Sequence, residues 1–300
     1  MVRMRTKRRR STGTWRRWRG RRSGVAGAVT AVLFVIIITT ILTAVALYYV
    51  PVWSKDAEAA HMSRVANQFF ALRDGVEDQL AQGETAGSLY FHIALSSGTT
   101  TSFLGIQGEP SSGTLSFDAN ASLFEVCDTD SPDELFALSR GSLIFRSRNM
   151  YHPQQEYVYE GGAVLVHQEG HSTVREGPAP EFKRDRWGSL TLTIPLYALF
   201  GEGVSVTGAG SAGVETRVLH YEETLIPFPG ERNVTLNATT RHADGWLRWL
   251  NASIQEQAAA ANLTGSEVSL SQTPEGFRMD ARGIVSLTIR FAVVEVKVSR

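Results

Sequence analysis

Hydrophobic residues form one long uninterrupted run close to the N-terminus. Residues 24–54 contain no charged side chain, and the apolar segment 25–50 has 26 residues. A helix rises about 1.5 Å per residue, so this segment is long enough to cross a hydrocarbon core of roughly 30 Å. Core helices of soluble proteins rarely remain apolar on every face over such a length. The pattern therefore predicts a transmembrane helix over residues 25–53, with the lipid bilayer as its partner.

Aromatic residues and a proline mark the far end of this run. Tyr48, Tyr49 and Trp53 are predicted to lie at the membrane interface, which favours amphipathic rings. Pro51 has no backbone N–H, so we expect it to kink or end the membrane helix. A second element is therefore expected to begin close to residue 54.

The pattern over residues 54–82 is helical and amphipathic. Apolar residues recur there at spacings of three or four, and charged residues occupy the other positions. The apolar stripe comprises Met62, Val65, Phe69, Leu72, Val76 and Leu80. We predict a stalk helix that packs its stripe on the following domain, with a coiled coil as the alternative.

The period changes to two after Gly83. Alternating segments surround residues 89–95 and 190–194, and Gly161-Gly162 separates two short strand patterns as a hairpin turn. Near the C-terminus the alternation slips by one residue, which predicts a β-bulge near residues 292–294. Many short strands separated by Gly, Ser and Pro are typical of an antiparallel sandwich.

One helical segment interrupts the strand pattern. Trp246, Leu250, Ile254 and Ala258 are spaced four apart, which predicts a helix near residues 242–261 that lays its tryptophan face on a sheet. The predicted fold class is mainly β with α. It comprises a transmembrane helix, a stalk helix and an antiparallel β-sandwich-like domain over residues 83–300.

The charge distribution predicts the orientation of this arrangement. Residues 1–24 hold 11 Lys and Arg and no acid, whereas all 30 acids and the other 19 bases follow residue 54. Basic flanks remain in the cytoplasm, so the basic tail is predicted to be cytoplasmic and the C-terminal domain extracytoplasmic. Because a topology signal explains these charges, no nucleic-acid partner is expected.

Three fates of the N-terminus remain open. The hydrophobic helix is either an uncleaved anchor or a signal peptide cut near Ala44-Val-Ala46. The third possibility is cleavage near Ser23-Gly24 on the cytoplasmic side, as a prepilin peptidase performs it. Gly24 is therefore a candidate leader-cleavage position.

Five of the seven asparagines lie in N-x-Ser/Thr patterns, and all five follow the predicted membrane helix. These glycosylation candidates are Asn120, Asn233, Asn237, Asn251 and Asn262. They support an exported, glycosylated surface. The single cysteine, Cys127, excludes an internal disulfide and is predicted to be a buried, inert thiol.

The remaining motifs carry little chemistry. Residues 208–213 have the glycine spacing of a dinucleotide fingerprint, but a strand pattern follows them, so a hairpin loop is the better interpretation. His167 and His171 have zinc-helix spacing, but Gly170 between them favours a solvated loop. The acids near Asp128 lack EF-hand spacing. We predict no catalytic, cofactor-binding or metal-binding residue.

Several segments resemble archaeal type IV pilin-like membrane proteins. They are residues 21–53, 58–76, 141–170 and 204–218, together with the Trp-centred helix. The resemblance implies a cell-surface protein with a helical anchor and a β-rich ectodomain. It also implies association with itself or with other pilin-like or surface-layer proteins. Unlike true pilins, the chain has no acidic residue among residues 25–29.

These observations lead to one function hypothesis and two alternatives. The first is a non-enzymatic, single-pass cell-surface protein that presents a glycosylated β-rich domain for adhesion or envelope organisation. The second is a pilin-like subunit that is cleaved near Gly24 and assembles through its hydrophobic helix. The third is an exported ligand-binding or enzymatic domain.

Overall fold

The computed structural model describes residues 20–83, 87–98, 111–131 and 135–300, with side chains from Ala26 onward. The basic tail predicted over residues 1–24 lies mostly outside this part of the chain. The chain divides into two compact units, Met1–Pro51 and Val52–Arg300.

The first unit contains an apolar helix. Helix α1 (Gly20–Ala44) is followed by a π-helical turn at Val45–Tyr49. The hydroxyls of Thr30, Thr39 and Thr40 donate to carbonyls one turn earlier, at 2.8–2.9 Å. Threonine is the only polar residue type in α1 beyond Ala26, and these bonds satisfy three of its four hydroxyls there. The large apolar side chains around them are exposed, so the helix is long and apolar enough to cross a membrane.

The helix does not end at Pro51. Helix α2 (Val50–Gln82) follows the π turn directly, and the Val50 N–H donates to the carbonyl of Val45. In a regular α-helix the ring of Pro51 would clash with the carbonyl four residues earlier. The wider π turn loosens that part of the hydrogen-bond ladder, which explains how the helix continues.

The second unit begins with the stalk helix as a core element. All six apolar residues of the stripe predicted for residues 54–82 are buried in α2. They form a core with the strands on one face of the sheet. The interior of the domain, and not solvent, therefore covers the apolar side of α2.

Twelve strands and one further helix complete the described part of this unit. The strands are β1 (Leu89–Ala94), β2 (Ser112–Asp128), β3 (Leu135–Arg148), β4 (Gln155–Glu160), β5 (Ala163–Gln168), β6 (His171–Glu176), β7 (Glu181–Arg184), β8 (Leu190–Phe200), β9 (Ser205–Gly208), β10 (Ser211–Thr240), β11 (Val268–Thr273) and β12 (Gly276–Ser299). They form one sheet in the order β6-β5-β4-β3-β2-β10-β12-β8-β7, with β1, β9 and β11 paired at its sides. The mainly β fold class is thereby confirmed.

The sheet is mixed, because β8 and β12 are parallel while the other pairs are antiparallel. The predicted antiparallel pairing holds for the other described pairs and not for this one. Parallel strands need a long crossover, and here β9, β10, α3 and β11 supply it. Alternation within a strand does not reveal the direction of its neighbour.

The sheet has a separate core on each face. One core contains the α2 stripe, and the other contains the buried face of helix α3 (Ala243–Ala261). β12 contributes Leu287 and Ile289 to the α3 core, then Val294 and Val296 to the α2 core. Alternate residues of a strand point to opposite faces of the sheet. The phase slip in the sequence therefore marks the point where β12 stops burying side chains on the α3 face and begins to bury them on the α2 face.

The predicted β-bulge lies on the other strand of the pair. Val218 pairs with Val294 and His220 pairs with Val293, so Leu219 of β10 is the extra residue. A bulge was predicted near residues 292–294 of β12. The irregularity lies at that position of the β10–β12 pair, but the extra residue belongs to β10. The alternation pattern of one strand cannot show an insertion in its partner.

Two local predictions are confirmed by backbone geometry. β4 and β5 pair across Gly161 and Gly162, which have φ of 55° and 81° as a two-residue hairpin requires. Helix α3 begins one residue after the predicted start and ends at Ala261, where Asn262 adopts the left-handed conformation.

Candidate functional site

An open cleft of about 580 Å³ lies on the second unit between the end of α2 and the sheet. The segment before β7 and strands β8, β10 and β12 complete its walls. Its polar lining residues are Glu77, Glu181, Tyr197, Tyr221, Glu223 and Arg290. Concave surfaces of this size with a few convergent polar groups are typical of ligand sites.

Ion pairs and hydrogen bonds order the polar lining. The Arg290 guanidinium lies 3.2 Å from Oε1 of Glu181 and 3.3 Å from Oε2 of Glu223. The Tyr197 hydroxyl donates to Oε1 of Glu77 at 2.9 Å. Burial, together with the Glu77 carboxylate, raises the pKa of Tyr197, so its hydroxyl remains a donor. The cleft therefore presents carboxylates that are held in place but retain free lone pairs.

An open strand edge borders this cleft. On one side β10 pairs with β12 over most of its length. On the other side β1 pairs with residues 211–216 and β2 with residues 234–240. Within the described ranges no strand pairs with residues 217–233 on that second side. Leu219, Tyr221 and Leu225 are exposed along this edge, and such an edge accepts an added extended strand.

A second polar cluster lies beneath α3. Ser172 Oγ is 2.9 Å from Nδ1 of His167 and 2.9 Å from Nδ1 of His242. Asp244 accepts the backbone N–H of Ser172 at 3.1 Å. Burial and the Arg241 charge lower the pKa of His242 to about 3, so its ring is neutral.

This cluster contains the residue types of a nucleophilic site, but a substrate cannot reach them. Ser172 and His242 are buried, and both imidazoles already bond to the hydroxyl. A substrate atom has no approach to Oγ in this arrangement. The cluster ties α3 to the β5–β6 hairpin, which is a structural role.

The histidines with zinc-helix spacing lie on two strands. His167 is on β5 and His171 on β6, with Glu169 and Gly170 at positive φ between them. No group of three His, Cys, Asp or Glu side chains in the described ranges is arranged to hold a metal. Residues 208–213 run from the last residue of β9 into the first residues of β10, where a nucleotide site needs a helix.

The five glycosylation candidates differ in accessibility. Asn120, Asn251 and Asn262 are exposed. Asn233 and Asn237 are half-buried, and their amide nitrogens contact Oδ2 of Asp130 at 3.2 Å and Sγ of Cys127 at 3.8 Å. A glycan attaches to this nitrogen, so the first three are the more accessible acceptors. Their use stays a prediction.

The other predicted positions are distributed along the chain. Gly24 lies within α1, and Tyr48, Tyr49 and Trp53 are exposed near the start of α2. Cys127 is a buried free thiol, and burial raises its pKa. None of these residues lines the cleft.

Sequence reasoning did not identify the cleft residues. Glu77, Tyr197, Tyr221 and Arg290 come from α2, β8, β10 and β12, and no motif links them. The Pro-rich segment before β7 was the one local signal, because Pro178 and Pro180 interrupt the strand pattern there.

The fold and the cleft define a mainly β domain that follows a helix long and apolar enough to cross a membrane. Comparisons with protein-family models, curated proteins and solved structures found no match to this chain. Its function is therefore argued from its own residues.

Proposed function

We propose that this is a non-enzymatic, single-pass membrane protein that presents its β-rich domain outside the cytoplasm for adhesion or envelope organisation. The observation that carries the proposal is the contrast along one helix. The large apolar side chains over residues 29–41 are exposed, whereas the apolar stripe of α2 is buried in the domain. Exposed apolar surface on this scale needs a nonaqueous partner.

Charge supports the orientation within this proposal. The 11 basic residues of the tail precede the helix, and the acid-rich domain follows it. Basic flanks are retained in the cytoplasm, which leaves the domain on the other side. The exposed sequons Asn120, Asn251 and Asn262 are compatible with an exported surface.

The cleft favours recognition over catalysis as the role of the domain. Its carboxylates lie beside the open edge of β10, where an extended polypeptide has both backbone partners and acceptors for basic side chains. The cleft and the open edge of β10 therefore favour a binding role at the cell surface.

Membrane fractionation with paired variants tests the anchor. Ile37→Arg combined with Ile38→Arg places two charges in the exposed apolar helix, each costing about 2.5–3.5 kcal/mol at the centre of a bilayer. We expect a smaller fraction resistant to alkaline carbonate extraction. The control, Leu225→Arg in the domain, changes another exposed apolar residue and should leave extraction unchanged. Equal behaviour of both variants would contradict the proposal.

A pilin-like subunit is the second candidate. Its support is that Gly24 lies inside α1, so that cleavage there would leave most of the hydrophobic helix attached to the protein. N-terminal mass spectrometry of the membrane-extracted protein separates the two candidates. A mature N-terminus at Gly24 or Val25 favours the pilin-like subunit, whereas intact residues 1–24 exclude prepilin processing.

A further inference from the structure

A buried carboxylate on α2 holds the loop between β3 and β4. Glu58 is only 1% exposed, and its oxygens accept three consecutive backbone N–H groups. Met150 donates to Oε1 at 2.9 Å, while Tyr151 and His152 donate to Oε2 at 2.8 Å and 2.7 Å. Hydrogen bonds to a charged group are among the stronger ones. The loop is therefore fixed to the first turns of α2.

The tip of this loop is apolar although its base is polar. The Met150 side chain is 66% exposed and Tyr151 is 39% exposed. At the base, the amide of Asn149 donates to the carbonyl of Pro153 at 3.0 Å, which closes the loop. Three strong bonds thus hold two large side chains outward, and the described residues leave both of them exposed.

The loop lies close to the point where the chain enters the second unit. Glu58 follows Trp53 by five residues, or about 7.5 Å along a helix. Ser54 is buried, so the domain covers α2 down to the residue after Trp53. Val52 and Trp53 are themselves exposed. The interfacial layer on one side of a bilayer is about 5–7.5 Å thick, which is close to this offset.

We infer that Met150 and Tyr151 insert into the lipid headgroup layer and form a second membrane contact. Trp53 is predicted to lie at the membrane interface, and the loop is bonded to the same helix five residues later. The lipid surface is therefore the partner that we infer for the loop. Lys55 and Arg148 are exposed nearby and suit lipid phosphates, with Asp56 as the opposing charge. The inference rests on the proposed anchoring and adds a lipid-binding rim to it.

Site-specific spin labels on the full chain in phosphatidylcholine–phosphatidylglycerol vesicles test this contact. Labels go to Met150→Cys, to Phe34→Cys in the apolar helix and to Trp187→Cys, which is exposed on the β7–β8 turn. A Cys127→Ala background removes the one native thiol. The measurement is the collision rate of each label with oxygen, which concentrates in lipid, relative to a water-soluble nickel chelate.

We expect a lipid-like ratio at residue 34, an aqueous ratio at residue 187 and an interfacial ratio between them at residue 150. An aqueous ratio at residue 150 together with a lipid-like ratio at residue 34 would contradict the lipid contact of the loop. Membrane anchoring by the helix would still be supported. Protection of label 150 from both reagents also overturns it, because a protein contact then covers the loop. An aqueous ratio at 34 overturns the anchoring itself.

Glu58→Gln tests the positioning role of the carboxylate. An amide offers one acceptor oxygen, so at least one of the three N–H groups loses its partner. We expect faster amide hydrogen exchange at residues 150–152 and a more aqueous ratio at label 150. The matched control, Glu77→Gln, changes a carboxylate of the same helix that bonds Tyr197. Unchanged exchange and depth in Glu58→Gln would contradict this role.

Discussion

The indole N–H of Trp246 donates to Oε1 of Glu160 at 2.9 Å, and both side chains are buried between α3 and the sheet. Thr240 and Ser142 donate to the same carboxyl group at 2.8 Å and 3.2 Å. Burial raises the pKa of Glu160, and the three donors oppose that effect. The bond joins α3 to β4.

We expect Trp246→Phe to lower the free energy of unfolding by about 1.5–3 kcal/mol, since it leaves a buried acceptor with one donor fewer. Urea unfolding in detergent micelles, followed by circular dichroism, measures this. A double-mutant cycle with Glu160→Met, which removes the acceptor oxygens, should give a coupling energy of about 0.5–3 kcal/mol. Strict additivity would show that the two side chains do not interact.

Two glycines at similar positive φ allow backbone strain to be separated from crowding. Gly162 has φ of 81° and Gly170 has φ of 83°, but only at Gly162 would a Cβ approach Tyr197, at 2.5 Å from Cδ2. Gly170→Ala should cost about 1–2 kcal/mol from the left-handed backbone alone. Gly162→Ala should cost a further 1–3 kcal/mol or so from overpacking. Equal losses in urea unfolding would contradict the contact with Tyr197.

Two buried histidines should make stability depend on pH. Burial, with the nearby Arg64 charge, lowers the pKa of His61 to about 4, and burial lowers that of His242 to about 3. The unfolded chain then binds more protons below pH 6.5, so stability is present above that value and is lost as pH falls. Each histidine should contribute a slope of up to about 1.4 kcal/mol per pH unit between pH 6.5 and its folded pKa. Urea midpoints between pH 7.5 and 5 measure it, and a flat profile would contradict the prediction.

The same two histidines should respond oppositely to replacement by leucine. Within the described residues neither ring nitrogen of His61 has a hydrogen-bond partner, and its ring packs on Phe145. His61→Leu should therefore keep or raise the free energy of unfolding at pH 7 and flatten its pH dependence. His242→Leu removes a partner of buried Ser172 and should lower stability by about 1–3 kcal/mol. A loss of the same size in both variants would argue against an unsatisfied His61.

Cys127 should be protected from alkylation in the folded protein. Its side chain is 5% exposed, and burial raises its pKa, so the reactive thiolate is scarce as well as hidden. We expect labelling by maleimide to be slow in micelles and to accelerate only when urea unfolds the domain. Fast labelling under native conditions would place this part of β2 at the surface.

Elements with a local period were predictable from sequence. The α2 stripe, the hairpin at Gly161 and helix α3 lie where the alternation and the glycines indicated. The phase slip in β12 was visible, but its meaning depended on two cores on opposite faces of the sheet. The bulge itself lies at Leu219 on the partner strand.

The linear pattern alone predicts the apolar helix, the amphipathic stripe after it and the mainly β character of the domain. These features depend on the side-chain period of a single segment, which neighbouring residues encode. The parallel pairing of β8 with β12, the cleft around Arg290 and the Glu58 contact with the β3–β4 loop depend on the tertiary structure. The Glu58 and Met150 partners are 92 residues apart, and only packing of the whole domain brings such groups within hydrogen-bonding distance.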